Sequence, residues 1–302
     1  MDNNRLATRN GASRFLAVGM LMAVVTLAAC TPNQQRAPAS DAVGSTGPAL
    51  AVVPPGQLDY YPAGEYLRNG FPAVPPMTTV HFEQGVLIAQ RQVSQAEYAE
   101  CVRDGACKPS EWADQYSGDA AANLPITGVS WRDATDYAAW LSKKTGVKYR
   151  LPTYAEWVYA AGSAYIEDTL MEEFDASNPA QRWLAEYKLE TQRKKTVDAV
   201  LRAFGGFGTN EFGLEDVAGN VWEWTDTCHV RQYLDVGDAL SFQGSENCGV
   251  RVVAGAHRSY IPDFIRDAKS GACSVGVPPS NLGFRLVRDL GAQSTGALLS
   301  QG

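Results

Sequence analysis

The six residues 256–261, Ala-His-Arg-Ser-Tyr-Ile, place an imidazole, a guanidinium and two hydroxyls in consecutive positions. On a strand, His257 and Ser259 share one face, so the imidazole can serve as a general base toward the Ser259 hydroxyl or toward that of Tyr260. Such a base also needs an orienting carboxylate, and Asp263 is the nearest one in the sequence. The other interpretation is a hydrogen-bonded pocket wall without catalysis, and the residues alone leave both open.

Metal chemistry is the second possibility for these side chains. The three histidines of the chain, His81, His229 and His257, are far apart, and no two have the spacing of ligands on one helix. Taken singly, each is interpreted as a structural or surface residue. An iron site of two histidines and one carboxylate stays open, because metal ligands need not be neighbours in sequence.

The N-terminus predicts export and a lipid anchor. Three arginines precede the apolar run 15–29, which is too short for a membrane span and is typical of a secretory signal. The run ends in Leu-Ala-Ala-Cys at 27–30, which resembles the lipobox of bacterial lipoproteins and implies an acylated Cys30 that holds the chain on the bilayer. Thr31 is not the aspartate of inner-membrane retention, so we expect the periplasmic face of the outer membrane rather than the inner membrane.

Composition divides the rest of the chain into a tether, one domain and a tail. Residues 30–55 are rich in Pro, Ala, Ser and Gly and are predicted to be a flexible tether, as is the tail 291–302. Residues 56–290 suffice for a single domain. Without the signal peptide the chain has 23 basic and 32 acidic residues, a net charge of −9. This charge disfavours nucleic acid as a partner and is compatible with cation binding.

Three segments carry helix-start signals in which a hydroxyl cap is followed three positions later by a carboxylate. The pairs are Ser94 with Glu97, Ser130 with Asp133, and Thr153 with Glu156. In the second helix, apolar residues at 134, 137, 138 and 141 form one face, and Gly146 is placed to end it. The third helix should end at Ala161. Short helices between long loops favour an irregular α+β fold.

Residues 163–204 are predicted to be a helical insertion, because apolar and aromatic residues keep helical spacing within a charged run. The basic cluster 193–195 is interpreted as a solvated helix face. The glycine-rich segment 205–208 lacks the Lys-Ser/Thr ending of a phosphate loop and is predicted to be a turn.

Five cysteines follow Cys30, and an oxidising compartment favours their pairing. We predict the nearest-neighbour disulfides Cys101 with Cys107 and Cys228 with Cys248. Cys273 is left over and is interpreted as a buried small apolar side chain, with a reactive thiol as the alternative.

Four blocks identify a family resemblance that spans roughly 80–290. They are ITGVSWRDATDYAAWLSKKTGVKYRLPTYAEWVYAAG (126–162), NEFGLEDVAGNVWEW (210–224), RVVAGAHRSY (251–260) and NLGFRLVRD (281–289). In this order they resemble the formylglycine-generating enzyme, or sulfatase-modifying factor, family. The resemblance implies a C-type-lectin-like fold with little regular secondary structure.

The same resemblance implies a calcium site and a substrate cleft. Calcium would be bound by the side chains of Asp216 and Glu223 and by the carbonyls of Gly219 and Val221, which are the hard oxygen ligands this ion prefers. The alternative is that Asp216 caps a turn and Glu223 pairs with an arginine. The cleft would be lined by Trp222, His257 and Asn281, with Ser259 and Tyr260 as further candidates.

The family's own reaction requires two thiols that this chain lacks. Formylglycine-generating enzymes have Cys-His-x-Ser-Tyr-Cys here, and the two cysteines bind copper; this chain has Ala256 and Ile261 in their places. We therefore expect no copper and predict a non-catalytic binding or scaffold module. Its partner would be an unidentified envelope protein or small ligand. The alternative is a periplasmic oxidative-modification enzyme of the same family, related to siderophore maturation or dependent on a non-heme metal.

Overall fold

The computed structural model describes residues 47–68, 71–111, 119–167, 184, 200–217, 219–234, 244–256, 258–267 and 281–290. Four helices occur in this part of the chain: α1 (Gln95–Arg103), α2 (Asp119–Ala122), α3 (Trp131–Thr145) and α4 (Tyr154–Ala161). A short 3-10 turn, Gly162–Ala164, follows α4. No helix among the described residues is long and apolar enough to cross a bilayer.

The strands form three sheets over the same residues. Their bounds are β1 (Leu50–Val53), β2 (Gly56–Tyr60), β3 (Glu65–Arg68), β4 (Phe71–Pro72), β5 (Thr78–Phe82), β6 (Val86–Ala89), β7 (Tyr149–Arg150), β8 (Trp222–Tyr233), β9 (Gly244–Ala254), β10 (Ser259–Pro262), β11 (Leu282–Gly283) and β12 (Val287–Arg288). One sheet has the order β1-β6-β12-β7, and β2 pairs with β5. The largest has the order β10-β9-β8-β3-β4, with β11 parallel to β8. This mixture confirms the predicted irregular α+β class.

The predicted helix starts are confirmed by their cap geometry. Ser94, Ser130 and Thr153 each accept a hydrogen bond from the backbone N–H three residues later, and the carboxylate at that position reaches back to the cap N–H. These reciprocal bonds satisfy donors that a helix start otherwise leaves open. Helix α3 ends at Gly146, whose φ of 71° is left-handed, and α4 ends at Ala161, as predicted.

The β8–β9 hairpin separates two apolar clusters, because successive side chains of a strand point to opposite faces. Val253 belongs to a cluster that includes the buried face of α3, whereas Val252 and Ala254 belong to a cluster with α4, β1 and β6. The four predicted α3 residues, at 134, 137, 138 and 141, are all buried. The hairpin is therefore covered on both faces where it approaches β10.

One of the predicted boundaries changes. The tether predicted for 30–55 is wrong at its C-terminal end, because β1 pairs with β6 and buries Ala51 and Val53. The strand is a short continuous apolar run, Leu-Ala-Val-Val, which favours a buried strand although prolines flank it. Most of the insertion predicted for 163–204 lies outside the described residues. The glycine-rich segment from Gly205 forms a turn, as predicted.

Candidate functional site

Strand β10 carries three residues of the predicted site. Ser259 lies opposite Val253 and Ile261 lies opposite Arg251, so both side chains face the cluster that contains Val253. Ser259 is 3% exposed, and its buried Oγ has no hydrogen-bond partner among the residues that the structure describes. His257 lies outside the described residues, so its predicted contact with Ser259 stays a prediction.

Tyr260 points to the other face of the sheet and has a structural role. Its hydroxyl accepts a hydrogen bond from the Gly64 N–H at 2.8 Å and donates one to the Gly64 carbonyl at 3.2 Å. The His229 ring packs edge-on against the Tyr260 ring, with 5.0 Å between centroids. Burial lowers the pKa of His229, which keeps this imidazole neutral near pH 7.

The candidate orienting carboxylate has another partner. Asp263 accepts two hydrogen bonds from the Arg132 guanidinium, at 2.9 and 3.1 Å. This bidentate pair ties β10 to the start of α3. Asp263 therefore fixes the end of the strand, and its predicted role toward the His257 imidazole stays a prediction.

Trp222 and Asn281, predicted to line one cleft, are brought together by the pairing of β8 with β11. The Trp222 N–H donates to the Asn281 carbonyl at 2.8 Å, and the Asn281 amide donates to the Asn220 carbonyl at 3.4 Å. Gly255 packs on the Trp222 indole so closely that a Cβ would lie 2.6 Å from a ring carbon. The backbone just before Ala256 thus reaches the Trp222 ring, which is itself 4% exposed.

The two positions of the implied thiols have different surroundings. Ala256 is exposed, whereas Ile261 is fully buried in the cluster with Val253 and Trp224. Trp224 is also fully buried, and its indole N–H donates to the Val129 carbonyl at 2.8 Å. Ile261 is therefore a core residue, and its aliphatic carbons fill the space beside the sheet.

The second block contains a buried carboxylate whose oxygens are fully used. The Glu223 oxygens accept hydrogen bonds from Gln92 at 2.7 Å, from the Trp157 indole at 2.9 Å, and from Arg285 at 2.6 and 2.7 Å. A carboxylate offers about four lone-pair sites, so four N–H donors saturate it. Calcium would have to displace one of these donors, and a buried donor without a partner is costly.

Asp216 is engaged in a similar way. It is fully buried with a φ of 56°, and its carboxylate accepts the backbone N–H groups of Gly205 at 2.8 Å and Phe207 at 2.7 Å. The Gly219 carbonyl accepts the Val221 N–H at 2.8 Å. As it stands, the saturated Glu223 carboxylate does not fit a calcium ion, and the contacts of both carboxylates match the turn-cap and arginine-pair alternative. Calcium binding at this block stays a prediction.

Arg285 occupies a cage of oxygen atoms beside Glu223. Besides the carboxylate, its guanidinium donates to the carbonyls of Ala89, Gln90 and Glu215 at 3.0–3.3 Å. The side chain is fully buried, so these acceptors replace its hydration shell. The sequence marked Gly-Phe-Arg as part of a block, but only tertiary structure brings this arginine to Glu223.

The cysteine predictions are confirmed, with disulfides joining Cys101 to Cys107 and Cys228 to Cys248. Within the described part of the chain, the one group of three His, Cys, Asp or Glu residues close enough to hold a metal is Cys228, Glu246 and Cys248. Its two sulfurs are bonded to each other, so neither is a thiolate ligand. Cys273 and Cys30 lie outside the described residues.

Among the cavities bounded by described residues, two lie beside helices. The first, of about 380 Å³, lies between α1 and α3 and is called the α1–α3 cavity below. The second, of about 660 Å³, is lined by the rings of Tyr60, Tyr66 and Tyr154, and burial raises the pKa of Tyr66 to about 12. The predicted cleft residues Trp222, Ser259, Tyr260 and Asn281 line neither cavity.

Comparison with known proteins establishes the family. The profile of the sulfatase-modifying factor enzyme 1-like domain matches residues 34–290, and the chain belongs to this family. A formylglycine-generating enzyme of Streptomyces coelicolor is 30% identical over 179 residues, covering 55% of this chain and 53% of the relative. An inactive C-alpha-formylglycine-generating enzyme 2 of Bos taurus is 28% identical over 177 residues, covering 53% of each chain.

Other relatives have the domain in a different context. The serine/threonine-protein kinase pkn1 of Chlamydia pneumoniae is 28% identical over 171 residues, covering 56% of this chain and 25% of the kinase. The match thus spans between a quarter and about half of these relatives. The structure of PvdO from Pseudomonas aeruginosa has a TM-score of 0.50 at 23% identity, covering 80% of this chain and 95% of PvdO. This likeness shows a shared fold.

Proposed function

We propose that this chain is a lipid-anchored envelope protein whose sulfatase-modifying-factor domain is a non-catalytic binding or scaffold module. The observation that carries the proposal is Ile261, a fully buried core residue at the position of one implied copper thiol. Ala256 stands at the other position and offers only a methyl group. Neither side chain can bind Cu(I), which selects soft sulfur ligands.

The packing around Ile261 supports the loss of the family reaction. Ile261 shares an apolar cluster with the fully buried Val253 and Trp224, so its side chain lies in a hydrophobic core. The bovine relative whose name calls it inactive is a precedent for the fold without the reaction. A domain that keeps the family fold but lacks the two copper-binding thiols can still bind a ligand or a partner protein.

The proposal is tested by assaying the purified full chain for the family reaction. A cysteine-containing peptide is incubated with the protein, Cu(I) and oxygen, and the aldehyde product is sought by mass spectrometry. The Streptomyces coelicolor relative is the positive control. We expect no aldehyde, and less than one copper or iron per ten chains by elemental analysis. Aldehyde formation, or a stoichiometric redox metal, would contradict the proposal and favour the oxidative-enzyme alternative.

The lipid anchor is tested separately through Cys30. In a Gram-negative host, the wild-type chain should incorporate radioactive palmitate and sediment with outer membranes, since acyl chains insert into the bilayer. Cys30→Ser removes the acylated sulfur and should give an unlabelled protein. Cys273→Ser is the matched control and should keep the label. Equal labelling of the Cys30→Ser variant and the wild type would refute the anchor.

A further inference from the structure

The α1–α3 cavity has the size and the wall of a small-ligand site. Its volume of about 380 Å³ falls within the range of about 300–1,000 Å³ that is common for such sites. One wall is aromatic and is formed by Tyr137 and Trp140 of α3. Of the cleft residues implied by the family resemblance, the four that the structure describes, Trp222, Ser259, Tyr260 and Asn281, take no part in it.

The charges that line this cavity leave one carboxylate in excess. Arg91 pairs with Glu97 at 2.9 Å, and Lys144 pairs with Glu100 at 2.9 Å, so these four charges cancel. Glu215 also lines the cavity and is half-buried. Its carboxylate has no hydrogen bond or ion pair with the residues that the structure describes. The described residues of the lining therefore carry one negative charge in excess.

The aromatic wall adds groups that attract a cation. Burial raises the pKa of Tyr137, and the nearby Glu97 and Glu100 carboxylates raise it further, so the phenol stays neutral and its oxygen can accept a hydrogen bond. The Lys144 ammonium lies 4.5 Å from the centre of the Trp140 ring while it contacts Glu100. The protein's own ammonium group thus already uses this ring in a cation–π contact.

We propose that the α1–α3 cavity binds a small organic monocation, a primary ammonium group on a short apolar body. The ammonium would contact Glu215 and the Tyr137 oxygen, and the apolar body would lie against the Trp140 ring. An anion is disfavoured because both cationic side chains of the lining already have carboxylate partners. This inference goes beyond the proposed function and holds whether or not the family reaction is lost.

The charge dependence of binding tests the proposal on the unmodified protein. Phenethylammonium and its uncharged isostere 2-phenylethanol are titrated into the purified full chain by calorimetry. We expect saturable binding of the ammonium compound and roughly tenfold weaker binding of the alcohol, because the alcohol lacks the charge that meets Glu215. Equal binding of the two, or no saturable binding of the ammonium compound, would overturn the proposal.

A pair of variants locates the site. Glu215→Gln keeps the shape of the side chain and should weaken phenethylammonium binding by roughly tenfold. Glu83→Gln removes the same charge at an exposed position outside the cavity and should leave binding unchanged. Circular dichroism and thermal unfolding confirm that both variants are folded. Equal effects of the two substitutions would show a general charge effect and would also refute the site.

Discussion

At the residue scale, the buried pair of Glu223 and Arg285 is satisfied by N–H donors and by carbonyl oxygens. Glu223 and Arg285 are both fully buried, and each uses its full hydrogen-bonding capacity within the pair and its immediate shell. A buried ion pair is weak evidence of net stabilisation, but removal of one partner leaves an uncompensated charge. Substitution of Glu223 therefore distinguishes the two hypotheses for this residue, calcium binding and an ion pair with Arg285.

We expect Glu223→Gln to destabilise the domain by about 3–5 kcal/mol whether calcium is present or absent, because Arg285 loses its counter-charge. Thermal unfolding in calcium and in chelator measures this. Glu65→Gln, which breaks the exposed pair with Arg231, is the control and should cost about 0–1 kcal/mol. A calcium-dependent rise in melting temperature that the wild type shows and Glu223→Gln loses would instead establish the calcium site.

At the element scale, the three helices with capping boxes, α1, α3 and α4, have strong start signals in the local sequence. The strands that carry the candidate site have no comparable local signal. Helix α3 has a capping box, a left-handed glycine end and an apolar stripe, all within 17 residues of sequence from 130 to 146. Strand β10 has only four residues and depends on β9 for its backbone partners. The helices can therefore be predicted from the local sequence. The orientation of Ser259 and Ile261 depends on the pairing of β10 with β9.

Replacement of the α3 cap should show how much this local signal contributes. Ser130→Ala removes the acceptor for the Asp133 N–H and should lower the free energy of unfolding by about 1 kcal/mol, measured by urea denaturation. Thr135→Ala in the same helix removes a hydroxyl that bonds only to the Arg132 carbonyl. Alanine is the better helix former there, so this control should be neutral or slightly stabilising. An equal decrease in the free energy of unfolding in both variants would argue against a specific stabilising role of the Ser130 cap.

At the scale of the whole molecule, short elements are tied together by long-range pairings and two disulfides. The Cys228–Cys248 bond closes the β8–β9 hairpin over 20 residues, whereas Cys101–Cys107 spans only six. The loop that a disulfide closes sets how far it restricts the unfolded chain. The hairpin bond should therefore contribute more to stability than the bond that follows α1.

We expect the double substitution Cys228→Ser and Cys248→Ser to cost about 3 kcal/mol, and the corresponding change at Cys101 and Cys107 to cost less. Urea denaturation of both variants under non-reducing conditions gives the comparison. A larger loss at Cys101 and Cys107 would contradict this ranking and would indicate that packing of the buried Cys101 dominates.

The sequence by itself determined the family, the three capped helices and both disulfides, because these depend on local signals or on near neighbours in the chain. Through the family resemblance it also placed Trp222 and Asn281 in one cleft with His257. Only the tertiary structure decided that β1 belongs to the core, that Glu223 is saturated by donors from three distant segments, and that Glu215 lines a cavity while its carboxylate has no partner among the described residues. Such outcomes depend on which distant groups compete for the same buried oxygen atoms, and spacing along a chain carries no information about that competition.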